Sequence, residues 1–268
     1  MDYLLIGLSI LPVAVLMIFI YFQDKYQKEP IKLLARAFIG GMLAIPLDFV
    51  VIDLIKLVFY SESTAYQAFF EAGIPEELSK FIILFLFIWR RKEFDEYMDG
   101  IVYAAFVGLG FACVENLLYV SSSAAEAYQI AISTSFSRAL VSVPGHFLFA
   151  VVMGYFFSLA KFDKKHRARN LILSVICAAA VHGLFDYLLM IEEFLSSGLA
   201  TVIFIVFILG DIKLWKLGIK FIRKQQQLTQ NQNITSDEEY AQAEIPVTEN
   251  EEPEYKSIDW NAGEKTTN

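Results

Sequence analysis

Nine ionisable side chains stand inside long apolar runs: Asp48, Glu76, Glu77, Lys80, Glu115, His146, His182, Asp186 and Asp211. A charge in hydrocarbon costs a few kcal/mol or more, so such groups usually face a bundle interior and serve function. Glu76 and Lys80 are four residues apart, as are His182 and Asp186, so each pair shares one face of a helix. Glu and His are the usual side chains for moving a proton to or from water, and together they open two routes to peptide hydrolysis. In one, no metal takes part: Glu76 or Glu77 activates water while His146 and His182 orient it or stabilise the oxyanion. In the other, His146, His182 and a carboxylate, Glu115 or Asp186, hold Zn²⁺ with an open position, and the glutamate pair is the base. Asp186 could instead orient His182 from behind. Sequence alone leaves both routes open, although an H-E-x-x-H zinc motif is absent. Each piece also has an ordinary explanation. Paired glutamates are common in the first turn of a helix, and a His-x-x-x-Asp pair can be a structural hydrogen bond. Glu115-Asn116 can glue helices together. Asp48 and Asp211 show no evident partner and read as structural, and His166, among Lys164, Lys165 and Arg167, reads as a solvated loop residue.

The elements that must carry these groups are membrane helices. Tyr3 to Phe22 has no charge in twenty residues, and about twenty apolar residues span a bilayer. Seven segments emerge, at 3–22, 33–55, 76–89, 100–120, 139–160, 170–191 and 198–217. Alternate connections carry sixteen basic residues against two, Lys56 and Arg138, on the other side. The positive-inside rule therefore places the N-terminus outside and the C-terminal end in the cytoplasm. The third segment is short, about 21 Å at 1.5 Å per residue. Gly73 and Pro75 predict that its helix begins inside the membrane, with 66–72 dipping in or lying at the outer interface. Counted from the cytoplasmic ends, Glu77, Glu115, His146, His182 and Asp186 all fall about 18–24 Å deep. That common slab in the outer half of the bilayer is the strongest chemical signal in the chain.

Composition agrees with an all-α polytopic membrane bundle. The apolar class makes up 56% of the 268 residues and charged residues only 19%, against about 25% in soluble domains. From Lys224 to Asn268 there are three basic and ten acidic residues, which accounts for most of the net charge of −8. Residues 1–224 thus read as the membrane bundle and 225–268 as a disordered, acidic cytoplasmic tail. No basic surface suggests nucleic acid. Cys113 and Cys177 lie in apolar runs and imply no disulfide framework. Asp2 and the lack of an A-x-A site argue against a cleaved signal, so the first run is expected to be a retained helix.

Taken in order, Glu76-Glu77-x-x-Lys80, Phe111-x-x-x-Glu115-Asn116-x-x-Tyr119, His146 with Gly154 eight residues on, and His182-x-x-x-Asp186 resemble the PrsW family of bacterial membrane proteases. That family is distantly similar to CAAX-prenyl-endopeptidase-like proteins. The resemblance covers roughly residues 25–218. Glu115 stands where the CAAX group has a histidine, and Asp186 where it commonly has an asparagine. The resemblance implies a multi-pass protease of the bacterial cell membrane. It would make the first, extracytoplasmic cut in a single-span anti-sigma factor and so start sigma-factor release in a stress response. It implies catalytic roles for Glu76, Glu77, Glu115, His146 and His182, with Lys80, Asn116 and Asp186 in support. The rivals are a proton-coupled transporter, against which the absence of a second copy of these motifs counts, and a non-catalytic scaffold or receptor.

Overall fold

A computed structural model describes residues 2–191 and 194–243, with side-chain surroundings through 235. The described residues are helical throughout, without a strand. α1 (Tyr3–Gln23) and α2 (Ile31–Val58) come first. A short α3 (Thr64–Tyr66) leads through a π-helix (Gln67–Gly73) into α4 (Ile74–Ile88). Then follow α5 (Tyr97–Glu126), α6 (Tyr128–Leu140), α7 (Ser142–Phe162), a 3₁₀ turn (Lys164–His166), α8 (Arg167–Ile191) and α9 (Ser197–Ala243). Six stretches are long and apolar enough to cross a bilayer: Tyr3–Gln23, Ile31–Val58, Tyr97–Glu126, Tyr128–Phe162, Lys164–Ile191 and Ser197–Thr235. The run from Thr64 to Ile88 supplies the remaining segment, its hydropathy lowered by Glu71, Glu76, Glu77 and Lys80.

α5 is the central post. Nearly every side chain from Met98 to Cys113 is buried, and the helix packs on α1, α2, α6 and α7. It can do so because its surface is small where it must be. A Cβ on Gly41 of α2 would strike the Val107 carbonyl oxygen, and one on Gly110 would strike that of Phe38. Backbone approaches backbone there, the usual way membrane helices gain contact when lipid is as apolar as they are. The opposite faces of α1 and α2 expose Leu11, Val15, Ile18, Phe22, Ile39, Leu43 and Leu54, a surface suited to acyl chains.

Three local expectations change. The third segment does not begin at Gly73 and Pro75. The π-helix runs unbroken into α4, with the Ile74 amide donating five residues back to the Phe69 carbonyl. Pro75 has no N–H to place in either register, so the change of hydrogen-bond period costs nothing at that residue. The outer connection at 121–138 is not a loop, since it holds the end of α5 and most of α6. And the bundle does not stop at 224. α9 continues, with Gln225 and Thr229 fully buried. The uncharged polar run that reads as a tail instead bonds the backbone of the elements packed against it, including the ends of α1 and α5, where helices leave unpaired groups. Gln225 donates to the Tyr155 carbonyl at 3.0 Å, Gln226 to that of Gln23, and Gln232 to that of Asp95 at 2.7 Å, while Thr229 Oγ1 accepts from the Met98 amide at 3.0 Å. The compact bundle extends to Gln232. Residues 244–268, the rest of the expected disordered tail, lie outside the described residues.

At the same end, Asp24, Glu29, Glu96 and Asp99 are buried together. Asp99 Oδ2 accepts from the amides of Asp95 and Glu96 and caps α5, and the Tyr103 hydroxyl donates to Glu29. In the α1–α2 connection, burial pushes the Asp24 carboxyl up to about 6 against the pull of Lys28. Burial and the neighbouring Asp99 raise Glu29 in the same direction.

Candidate active site

Position follows from packing. A Cβ on Gly73 would lie 2.8 Å from both the Ala179 carbonyl oxygen and the Gly183 amide, so the last turn of the π-helix sits against the backbone of α8. That contact sets the first turn of α4 beside His182, one residue before Gly183. Glu77 is fully buried, Lys80 is 1% exposed and Glu76 8%.

The lysine binds the glutamate pair. Its Nζ donates to Glu76 Oε2 at 3.0 Å and Glu77 Oε1 at 2.8 Å, and stands 3.2 Å from His146 Nδ1 and 4.0 Å above the Phe111 ring. His182 Nδ1 stands 2.9 Å from Glu77 Oε1. The two imidazoles lie 5.3 Å apart, close enough to share one water or ion, and Phe149 stacks on His182 at 4.5 Å.

On their far sides both rings meet carboxylates. His146 Nε2 donates to Glu115 Oε2 at 2.7 Å, and His182 Nε2 points at Asp186 Oδ2, 3.4 Å away. Arg138 of α6 completes this outer layer. Its Nη2 donates to the same Glu115 oxygen at 2.7 Å and its Nε to Asn116 Oδ1 at 2.9 Å, with the guanidinium 4.1 Å over the Tyr119 ring. Asn116 in turn donates to the Ser9 carbonyl at 2.8 Å and ties the layer to α1. A cavity of about 280 Å³ opens onto the cluster between α5, α6, α7 and α8, lined by Glu115, Arg138, His146, His182 and Asp186 among others. The site is buried at its base and accessible from one side.

Every expected site residue is therefore in one place: Glu76, Glu77, Lys80, Glu115, Asn116, His146, His182 and Asp186. Asp211 lines a separate pocket between α8 and α9. Two neighbours escaped the sequence. Arg138 reads as a basic residue of an outer loop, and only the polar spacing of Thr134, Ser135 and Ser137 on α6 hints at a helix face. Asp48, read as partnerless, is buried on α2 within electrostatic reach of Lys80, Glu115, His182 and Glu77, with its Oδ1 making no hydrogen bond.

The donor set fits a divalent ion. One ligand atom each from Glu76, Glu77, His146 and His182 lies within 4.8 Å of the others. Both imidazoles turn Nδ1 to the centre and give Nε2 to a carboxylate, which is how ligating histidines are usually held. Glu77 Oε2 is buried without a hydrogen-bond partner. Five carboxyls (Asp48, Glu76, Glu77, Glu115, Asp186) face only two fixed cations, Lys80 and Arg138. Glu115 and Asp186, the candidate carboxylate ligands of the sequence, stand at Nε2 of His146 and His182.

A polytopic helical bundle with a buried Glu/His centre and a side opening defines a membrane-embedded hydrolase. The sequence profile described as PrsW family intramembrane metalloprotease matches residues 29–210, and the chain belongs to that family. Among curated relatives, "Protease PrsW" of Clostridioides difficile (strain 630) is 36% identical over 81% of this chain and 89% of that protein. "Protease PrsW" of Geobacillus kaustophilus (strain HTA426) is 37% identical over 70% and 81%. "Protease PrsW" of Bacillus subtilis (strain 168) is 32% identical over 85% and 98%. No solved structure matches the chain. It is a multi-pass peptidase of the bacterial cell membrane.

Proposed function

We propose that the chain cleaves a single-span membrane protein of the anti-sigma-factor type near the outer face of the bilayer, at a centre built by Glu76, Glu77, His146 and His182. The convergence of those four side chains within 4.8 Å carries the reading. When bound there, a Zn²⁺-like ion would polarise the scissile carbonyl and make water a stronger acid. The chain's own groups do the rest. Glu115 and Asp186 fix the tautomer and angle of each imidazole. Glu76 has one oxygen committed to Lys80 and is the more exposed of the pair, so it is the group placed to accept a proton from water. Arg138, beside the cavity, supplies positive charge for a developing oxyanion. Free amides at the start of α4 do not, because the π-helix already employs them.

One observation favours a second reading. Lys80 Nζ bonds Glu76 and Glu77 and stands within hydrogen-bond distance of His146, three of the four residues of the donor set. The ammonium would then be the resident cation of a metal-free glutamic hydrolase.

Full-length protein in nanodiscs, with a single-span reporter, tests both. Glu76→Gln and Glu77→Gln together should lower cleavage by about 10²–10⁴, and metal analysis of the purified wild type decides between the routes. A double variant that cleaves at the wild-type rate would end the proposal.

A further inference from the structure

The middle of α9 carries a feature that the proposed hydrolysis does not use. Lys216, Lys220, Arg223 and Lys224 repeat at helical spacing along one side of the helix. They border a cavity of about 850 Å³ whose floor is aromatic: Trp215 and Phe221 of α9 and Tyr155 of α7. Tyr155 and Phe221 stack at 4.1 Å, nearly parallel, and Gln225 donates to the Tyr155 carbonyl, so the floor is held in place. All four cations are exposed, and none of them makes a salt bridge among the described residues. The groove lies where the basic connections of the chain assign the cytoplasmic interface.

We propose that this groove is a binding site for the headgroup of an anionic phospholipid. Charge complementarity selects the occupant. A phosphate between Lys216, Lys220 and Arg223 meets three cations at once, and Arg matches phosphate in a bidentate fork. Basic pockets beside membrane helices on the cytoplasmic side bind anionic headgroups by this chemistry. Trp215 and Tyr155 suit the same depth, since aromatic rings with a polar edge collect at the headgroup level. The competing occupant is the chain itself: residues 236–268 hold ten acidic and two basic residues. A lipid is the better fit because the groove continues into acyl-compatible surface, the exposed Ile208, Leu209, Ile212 and Leu217 of the same helix.

The test uses the full chain in nanodiscs of mixed phosphatidylcholine and phosphatidylglycerol. Brominated lipids quench a nearby indole, and a Trp89→Phe, Trp260→Phe background leaves Trp215 as the reporter. Brominated phosphatidylglycerol should quench Trp215 at least threefold more than brominated phosphatidylcholine at equal mole fraction. Lys216→Gln, Lys220→Gln, Arg223→Gln and Lys224→Gln together should abolish the difference. Lys25→Gln, Lys32→Gln, Lys164→Gln and Lys165→Gln remove the same charge from the same side and should leave it intact. Equal quenching by the two lipids overturns the site, as does equal loss in the two quadruple variants, which would show general surface attraction. A preference that appears only after truncation at residue 235 also overturns it, because the acidic segment would then be the occupant. If the groove variant does not fold, the comparison of the two lipids on wild-type side chains still decides.

Discussion

The bundle buries two polar clusters, and they are built on opposite plans. The one beside the α1–α2 connection gathers Asp24, Glu29, Glu96 and Asp99 against backbone amides and the Tyr103 hydroxyl. The one at the start of α4 mixes signs: carboxylates, two imidazoles, a lysine and an arginine, arranged as an inner set and an outer set with a cavity at the edge. Burial of acid is common to both. What differs is the presence of groups that can exchange a proton or hold an ion while a substrate approaches. The first cluster closes helix ends, and the second is the candidate active site.

The comparison can be broken by substitution. The largest effect is expected at Glu77→Gln, which removes the charge that Lys80 and His182 share: cleavage should fall by about 10²–10⁴ with the protein still inserted, as read by reporter turnover. Asp48→Asn comes next. Its buried carboxyl faces the mixed cluster, so turnover should drop by about tenfold, a loss of ~1.4 kcal/mol in transition-state stabilisation, whereas Asp211→Asn should leave it unchanged. Lys80→Met should increase Zn²⁺ affinity, measured by competition with a chromophoric chelator, if the ammonium and the ion share one seat; unchanged affinity would separate the two. At the other cluster, Asp99→Ala should cost about 0.5–2 kcal/mol of stability as a lost helix cap while turnover per folded molecule stays constant. The smallest effect is in pH. The folded-state value of the Asp24 carboxyl is raised to about 6, above the ordinary 3.8. Its protonated form therefore stabilises the fold fully below pH 4, and that contribution is lost as pH rises through about 6. Glu29 shifts in the same direction. The midpoint of thermal unfolding in detergent should fall between pH 4 and 7, and Asp24→Asn should flatten the slope.

Much of the candidate site is legible in the sequence because ionisable groups are conspicuous in hydrocarbon. Glu76, Glu115, His146 and His182 stand out for their cost, and a depth count brings them to one level. Arg138 does not stand out, because a basic residue between two spans looks like any loop arginine until α6 is seen to fold it back over Tyr119. Asp48 does stand out, but its partners do not: its helix face is set by the glycines of the α2–α5 contact, and a contact between distant helices leaves no spacing to read. The glutamine-rich start of the expected tail misleads for a different reason. Polar composition reports what a side chain can bond, and Gln225, Gln226 and Thr229 bond the backbone of neighbouring helices instead of water.

The π-helix before the glutamates has a consequence for how this protein can vary. Each of its hydrogen-bonded rings encloses one residue more than an α-helical ring. Losing a single residue from 67–73 would restore ordinary α-helix and turn everything upstream by about 100° relative to Glu76 and Glu77. A substitution at an exposed position of this stretch changes one side chain, whereas a one-codon deletion shifts the whole register. Among related chains, length should be the least negotiable property of this segment.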